Sequence, residues 1–147
     1  MAFPYSVTNR LFEEEIMAIK EFRVAYTVED FQKTAAFFRD GLGLGAGDLW
    51  TDNGNGQMFI AGKAILEVFD HQYAAGVDQI EAEKRISGQI RFAIEVDDIE
   101  KSAKRAIEFG GKLVHEAVTT PWGDKNIRLE SPEGLQITLY QRIDHSL

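Results

Sequence analysis

Apolar and polar residues alternate with a period of two over Phe22–Val28 and again over Ile90–Val96. Val24, Tyr26 and Val28 therefore share one face of a strand, as do Phe92, Ile94 and Val96. An aspartate follows each run, Asp30 or Asp98, in place to accept the unpaired amides of a helix start. The period then becomes helical. Phe31, Ala35 and Phe38 form one apolar stripe, and Ile99, Ala103, Ala106 and Ile107 form another, predicting helices to about Phe38 and Phe109. Glycines end both, Gly41 and Gly43 in the first, Gly110 and Gly111 in the second. Three strand-like runs follow each helix: 48–51, 57–61 and 64–70, then 112–118, 126–130 and 135–142. Turn sequences separate them, Asn53-Gly54-Asn55-Gly56, Ala61-Gly62 and Ser131-Pro132-Glu133-Gly134.

The two halves are copies. Arg23 and Arg91, Ala25 and Ala93, Val28 and Val96, Asp30 and Asp98, Lys33 and Lys101, and Gly43 and Gly111 all stand 68 residues apart. The predicted fold class is α+β, one domain of two tandem βαβββ modules, residues 21–71 and 89–143. Residues 72–88 are polar and charged and read as an irregular or partly helical connector. Residues 1–20 form an N-terminal arm outside the repeat, where Thr8 or Asn9 caps a short amphipathic helix bearing Leu11, Phe12, Ile16 and Ile19.

Composition narrows the function classes. With 147 residues, 44% hydrophobic and 27% charged, the chain has the make-up of an ordinary soluble domain with a real core. Its N-terminus lacks the basic start and apolar run of a secretory signal, and no stretch approaches a membrane span. The absence of cysteine removes disulfides, thiolate metal sites and a cysteine nucleophile, and makes the cytoplasm the expected compartment. A formal net charge of −8 argues against nucleic acid as a partner.

The sequence resembles the vicinal oxygen chelate superfamily, which includes glyoxalase I, extradiol dioxygenases, fosfomycin-resistance enzymes and bleomycin-binding proteins. The residues that carry the resemblance are Arg23-Val-Ala-Tyr-Thr-Val-Glu-Asp, Leu66-Glu67-Val68-Phe69, Arg91-Phe-Ala-Ile-Glu-Val-Asp-Asp, Pro121-Trp122-Gly123 and Ser131-Pro132-Glu133-Gly134-Leu135. It implies a curved mixed sheet around a cavity. It also implies that a metal, where present, is held from the first and last strands of the modules, here at Arg23, Glu67, Arg91 and Thr138. Of these only Glu67 suits a divalent ion, because arginine stays protonated and has no lone pair to give. No metal cofactor is therefore expected. His71, His115 and His145 show no ligand spacing, although the strand of His115 borders the cavity in this fold.

Strand alternation places Arg23, Ala25, Thr27, Arg91, Ala93, Glu95, Ile65, Glu67, Phe69, Gln136, Thr138 and Tyr140 on the face away from the helices. The expected ligand-binding residues are Arg23, Arg91, Glu67, Glu95, Phe69, Thr138, Tyr140 and two tryptophans at strand edges, Trp50 and Trp122, with Glu67 as the candidate catalytic group. Arg23, Arg91 and Glu67 are expected to form one ion cluster, either closed on itself or leaving one arginine for a ligand anion. The aromatic and acidic residues would equally suit a planar cation. The expected function is metal-independent binding of a small organic molecule, with drug sequestration of the bleomycin-resistance type as one form of it. The alternative is a glyoxalase-like lyase, isomerase or dioxygenase with an atypical or metal-free site. A homodimer is expected, as is usual for small two-module members of the family.

Overall fold

The computed structural model describes residues 19–143; the predicted N-terminal helix up to residue 18, and His145, lie outside them. In chain order the elements are β1 (Ile19–Val28), α1 (Phe31–Ala36), β2 (Gly45–Trp50), β3 (Gly56–Ala61), β4 (Ala64–Asp70), α2 (His71–Ala82), β5 (Ile90–Val96), α3 (Ile99–Glu108), β6 (Lys112–Thr119), β7 (Asp124–Glu130) and β8 (Gln136–Arg142). The repeat thus emerges as β1-α1-β2-β3-β4 and β5-α3-β6-β7-β8. Several limits differ from expectation, among them the starts of β2 at Gly45 and of β7 at Asp124. β1 starts at Ile19, inside what reads as the arm, and α1 runs beyond Phe38 through a wide turn, Phe37–Gly41, closed by Leu42 N–H donating to the Phe37 carbonyl at 2.9 Å.

All eight strands form one curved, open sheet in the order β2-β3-β4-β1-β5-β8-β7-β6. β1/β4 and β5/β8 pair in parallel, and every other neighbouring pair is antiparallel. The modules meet along β1 and β5, where Val24 lies opposite Phe92, 68 residues on. Residues that are equivalent in the repeat face each other there, so a pseudo-twofold axis passes through this pair. It sets Arg23 opposite Ala93 and Arg91 opposite Ala25.

α1 and α3 cover the outer face. Val28, Phe31, Ala35, Phe59 and Val68 form one core beneath α1, and Val96, Ile99, Ala103, Ile127, Leu129 and Leu139 form its counterpart beneath α3. Both helices start as the sequence predicts: Asp30 accepts from Lys33 N–H at 3.0 Å and Asp98 from Lys101 N–H at 3.1 Å.

α2 lies on the opposite, concave face. Its start is fixed by Asp70, whose Oδ1 accepts from Tyr73 N–H at 2.8 Å and whose Oδ2 accepts from the Asn55 backbone N–H at 2.9 Å. Gly54, with φ +83°, brings the β2–β3 turn so close that a Cβ there would lie 2.5 Å from the Tyr73 nitrogen. The buried residues of α2 are Ala74, Val77, Asp78, Glu81 and Ala82, a continuous helical stripe of three apolar and two acidic residues. Among the described residues no helix is long and apolar enough to cross a membrane.

Because the two N-caps are equivalent, Asp30→Ala and Asp98→Ala should each lower the unfolding free energy by about 1 kcal/mol. Being distant, they should add in the double variant. Urea melts of the three proteins test this, and a single cap carrying the whole loss would contradict the structural equivalence.

Candidate functional site

The acidic half of the α2 stripe meets β7. Ile127 and Leu129 point into the outer core, so Asn126 and Arg128 point inward by strand alternation, and Arg128 has no exposed surface. Its Nη1 donates to Asp78 Oδ1 at 2.9 Å and its Nη2 to Glu81 Oε1 at 2.8 Å. Asp78 also accepts from Ser87 N–H at 2.9 Å, Ile86 N–H at 3.0 Å and Arg85 Nη1 at 2.9 Å. Burial opposes its charge, but the bonds from Ser87, Ile86 and Arg128 outweigh this and hold the carboxyl far below the usual range. Burial likewise opposes the charge of Glu81. Arg91 and Arg128 beside it, with the hydroxyl of Thr138, keep its pKa low. Asp78 and Glu81 are therefore anions that fix the helix to the sheet.

The other half of the concave face, with the mouth between the modules, remains open as a cavity of about 620 Å³. Its walls include Arg23, Trp50, Glu67, Phe69, Arg91, Trp122, Thr138 and Tyr140 of the expected residues. Glu95 does not border it; its carboxylate pairs with Arg142 at 3.3 Å. His115 does not border it either and lies 3.5 Å from Glu83. Sequence reasoning missed Tyr73, Asn126 and Glu81, which also line the cavity. The signal for Glu81 was present, since Ala74, Val77, Asp78 and Glu81 have helical spacing, but an acidic stripe reads as a solvated one.

The two repeat-related arginines have different surroundings. Arg23 Nη1 donates to Glu67 Oε2 at 3.1 Å, and its Nε donates to Glu21, which also accepts from the Tyr140 hydroxyl. Arg91 makes no ion pair with Glu67. Its Nη1 donates to Thr138 Oγ1 at 2.7 Å and its guanidinium lies 5.6 Å from the centre of the Phe69 ring. The expected single cluster is thus corrected to a pair, Arg23–Glu67, with Arg91 bonded instead to Thr138, which holds on β8 the position that Glu67 holds on β4. Burial pushes the Glu67 carboxyl upward, and the attraction of Arg23 and Arg91 offsets this only in part. Burial also raises the Tyr73 hydroxyl to about 12, with Glu67 and Asp52 adding to the effect.

The tryptophans differ too. Trp50 already stacks on Tyr73, with ring centres 5.8 Å apart and planes 24° from parallel, whereas Trp122 is 51% exposed at the mouth.

The donor set does not fit a metal ion. Two of the four implied ligand positions carry guanidinium groups, the Thr138 hydroxyl is already bonded, and Glu67 is paired with Arg23. Among the described residues no three histidine, aspartate or glutamate side chains converge.

Comparisons with known proteins agree with the fold. The model of the Glyoxalase/Bleomycin resistance protein/Dioxygenase superfamily matches residues 22–139. No functionally curated protein matches the chain. Among solved structures, a member of that superfamily from Vibrio splendidus 12B01 is 16% identical, with 84% of this chain and 99% of that one covered and a TM-score of 0.59. Methylmalonyl-CoA epimerase from Mycobacterium tuberculosis is 14% identical, covering 86% and 90%, with a TM-score of 0.61. A hypothetical protein from Bacillus halodurans C-125 is 18% identical, covering 88% and 99%, with a TM-score of 0.60. At these identities the likeness concerns the fold.

Arg128→Met should cost about 3–5 kcal/mol at pH 7, because two buried carboxylates lose their counter-charge. Asp78 and Glu81 have depressed values in the native protein, so wild-type stability falls as the pH drops through and below the ordinary carboxylate range. In the variant both carboxyls take up protons more readily, so its deficit should shrink on acidification. Denaturant melts at pH 7 and pH 5 check both points, and a deficit that is small or independent of pH would remove the ion network from its structural role.

Proposed function

We propose that this chain, which belongs to the Glyoxalase/Bleomycin resistance protein/Dioxygenase superfamily, binds a small planar organic acid in its cavity without a metal ion. One observation carries the reading. Arg91 is buried, borders the cavity and, among the described residues, makes one hydrogen bond, to a neutral hydroxyl, and no ion pair. A guanidinium has five N–H donors, and its planar fork matches a carboxylate.

Of the other charges bordering the cavity, Glu67 pairs with Arg23 and Arg142 with Glu95, Asp48 and Asp52 are exposed, where solvent screens them, and Glu81 is bonded to Arg128 as well as lying beside Arg91. Asp124 is buried on β7, two residues from Asn126, and the free donors of Arg91 are the part of the cavity that receives an anion. This balance favours an anion over the cation that the acidic composition suggests. The open face of Trp122 supplies a surface for the ligand's ring.

Quenching of tryptophan fluorescence by 2-naphthoate and by 2-naphthylmethylammonium, which share a ring system and differ in charge, is the test. The carboxylate should bind more tightly, and binding should survive a chelator. Arg91→Met should weaken it by about thirtyfold or more, the effect of removing one partner of a buried charge pair. The pH dependence has a definite sign. Glu67 has a raised native value, so it takes up a proton as the pH falls toward the ordinary carboxylate range, and an anion beside Arg91 then meets less repulsion. Affinity should rise on acidification while the ligand stays ionised, and Glu67→Gln should abolish that rise. Preference for the ammonium probe would overturn the reading.

A second reading rests on Glu67 itself. A buried carboxyl with a raised value, bordering a cavity, is suited to accept or return a proton on the bound acid. Proton NMR in D₂O of arylacetates held with the protein tests it: deuterium should enter at the carbon next to the carboxylate, and the rate should fall at least a hundredfold in Glu67→Gln. Absence of exchange would confine the protein to binding.

A further inference from the structure

Asn126 lies on β7 two residues before Arg128, on the same inward face, and borders the cavity with 4% of its surface exposed. Its amide orientation is fixed by Nδ2 donating to Glu81 Oε2 at 2.9 Å. That leaves Oδ1 as the buried side-chain oxygen or nitrogen without a hydrogen-bond partner among the described residues. An unpaired acceptor in such a place costs roughly as much as a lost hydrogen bond, so its persistence beside a cavity points to a donor that arrives with the ligand.

Asn126 and Arg91 are ends of one bonded chain. Arg91 Nη1 donates to Thr138 Oγ1, Thr138 Oγ1 donates to Glu81 Oε1, and Glu81 Oε2 receives the Asn126 amide. Glu81 thus fixes, from one carboxylate, both a guanidinium with spare donors and an amide with a spare acceptor. Asp124, two residues before Asn126 on the same strand, adds a second acidic group bordering that end of the cavity.

We propose that the ligand has two polar ends: an anionic group received by Arg91 and an N–H or O–H donor received by Asn126 Oδ1. This rests on the reading of the cavity as an anion site and narrows its ligand class to aromatic acids that carry a hydrogen-bond donor away from the acid. An amine or hydroxyl fits, a methyl group of the same size leaves Oδ1 unpaired, and a carbonyl in that place sets acceptor against acceptor.

The test compares 6-amino-2-naphthoate with 6-methyl-2-naphthoate by titration calorimetry on the full chain at pH 7. The two probes share ring, acid and approximate size. The amine should bind about tenfold more tightly to the wild type, the gain expected from pairing one buried acceptor. In Asn126→Leu that gap should close. The wild-type comparison stands without the variant, so a variant that fails to fold does not shelter the proposal. Equal affinities in the wild type, tighter binding of the methyl probe, or a gap that persists in Asn126→Leu would each overturn it while leaving the anion site in place. Failure of both probes to bind would overturn the anion site, and this proposal with it.

Discussion

A guanidinium with no access to water must find all its acceptors inside the protein, and Arg128 finds its two carboxylates on one helix, with Ser87 and Gln136 as further acceptors. Asp78 and Glu81 stand one turn apart on α2, so their carboxylates can clasp the same side chain from β7. This is the constraint that the concave face is built around. Removing Arg128 leaves two buried carboxylates without their shared counter-charge, and the cost of that state adds to the apolar contacts of Ala74 and Val77 in holding α2 in place. The same clasp determines how much of the concave face remains open and which groups line it.

The superfamily's architecture brings four strand positions together at the centre of the sheet. In this chain they hold Arg23, Glu67, Arg91 and Thr138, and the charge there comes from side chains. The register relates the two arginines symmetrically, and they are made unequal by their partners at equivalent positions, Glu67 beside Ala25 and Thr138 beside Ala93. On its side Arg23 finds Glu67 and Glu21, while Arg91 finds a hydroxyl and the face of Phe69. The connector helix adds a further asymmetry, because its carboxylate Glu81 enters the concave face from one side. A duplicated sequence thus yields an unsymmetrical site, and an unsymmetrical site can recognise an unsymmetrical ligand.

The strands and outer helices were legible because each buries a single apolar face. Val24, Tyr26 and Val28, or Ile99 and Ala103, announce their period directly, and the repeat doubles the signal. The face of each inward residue followed from that alternation, which is why Arg23, Glu67, Phe69, Arg91, Thr138 and Tyr140 could be named in advance as lining the cavity. The connector was not legible. Its buried stripe contains Asp78 and Glu81, and acidic residues at helical spacing ordinarily mean solvent. β7 posed the complementary problem: Asn126 and Arg128 read as the polar side of a half-exposed strand, yet both faces of β7 are buried. Neither burial can be inferred alone, because each is tolerable only in the presence of the other. The separation of Arg91 from Glu67 lay beyond the sequence for a simpler reason: repeat equivalence specifies which positions correspond, and it does not say that the Arg91 guanidinium turns to Thr138 on β8.

The bond between Arg128 and Asp78 spans 50 residues of chain, and that between Thr138 and Glu81 spans 57. Contacts this distant carry a large closure entropy and form after local ones. Until β7 and β8 are paired, the acidic stripe of α2 has no counter-charge and is best left in water. The first module can assemble its outer core without waiting, but its inner surface acquires a fixed wall only when the last thirty or so residues have folded. The cavity is therefore a late product of folding, and on the ribosome it cannot exist before the C-terminal strands have emerged.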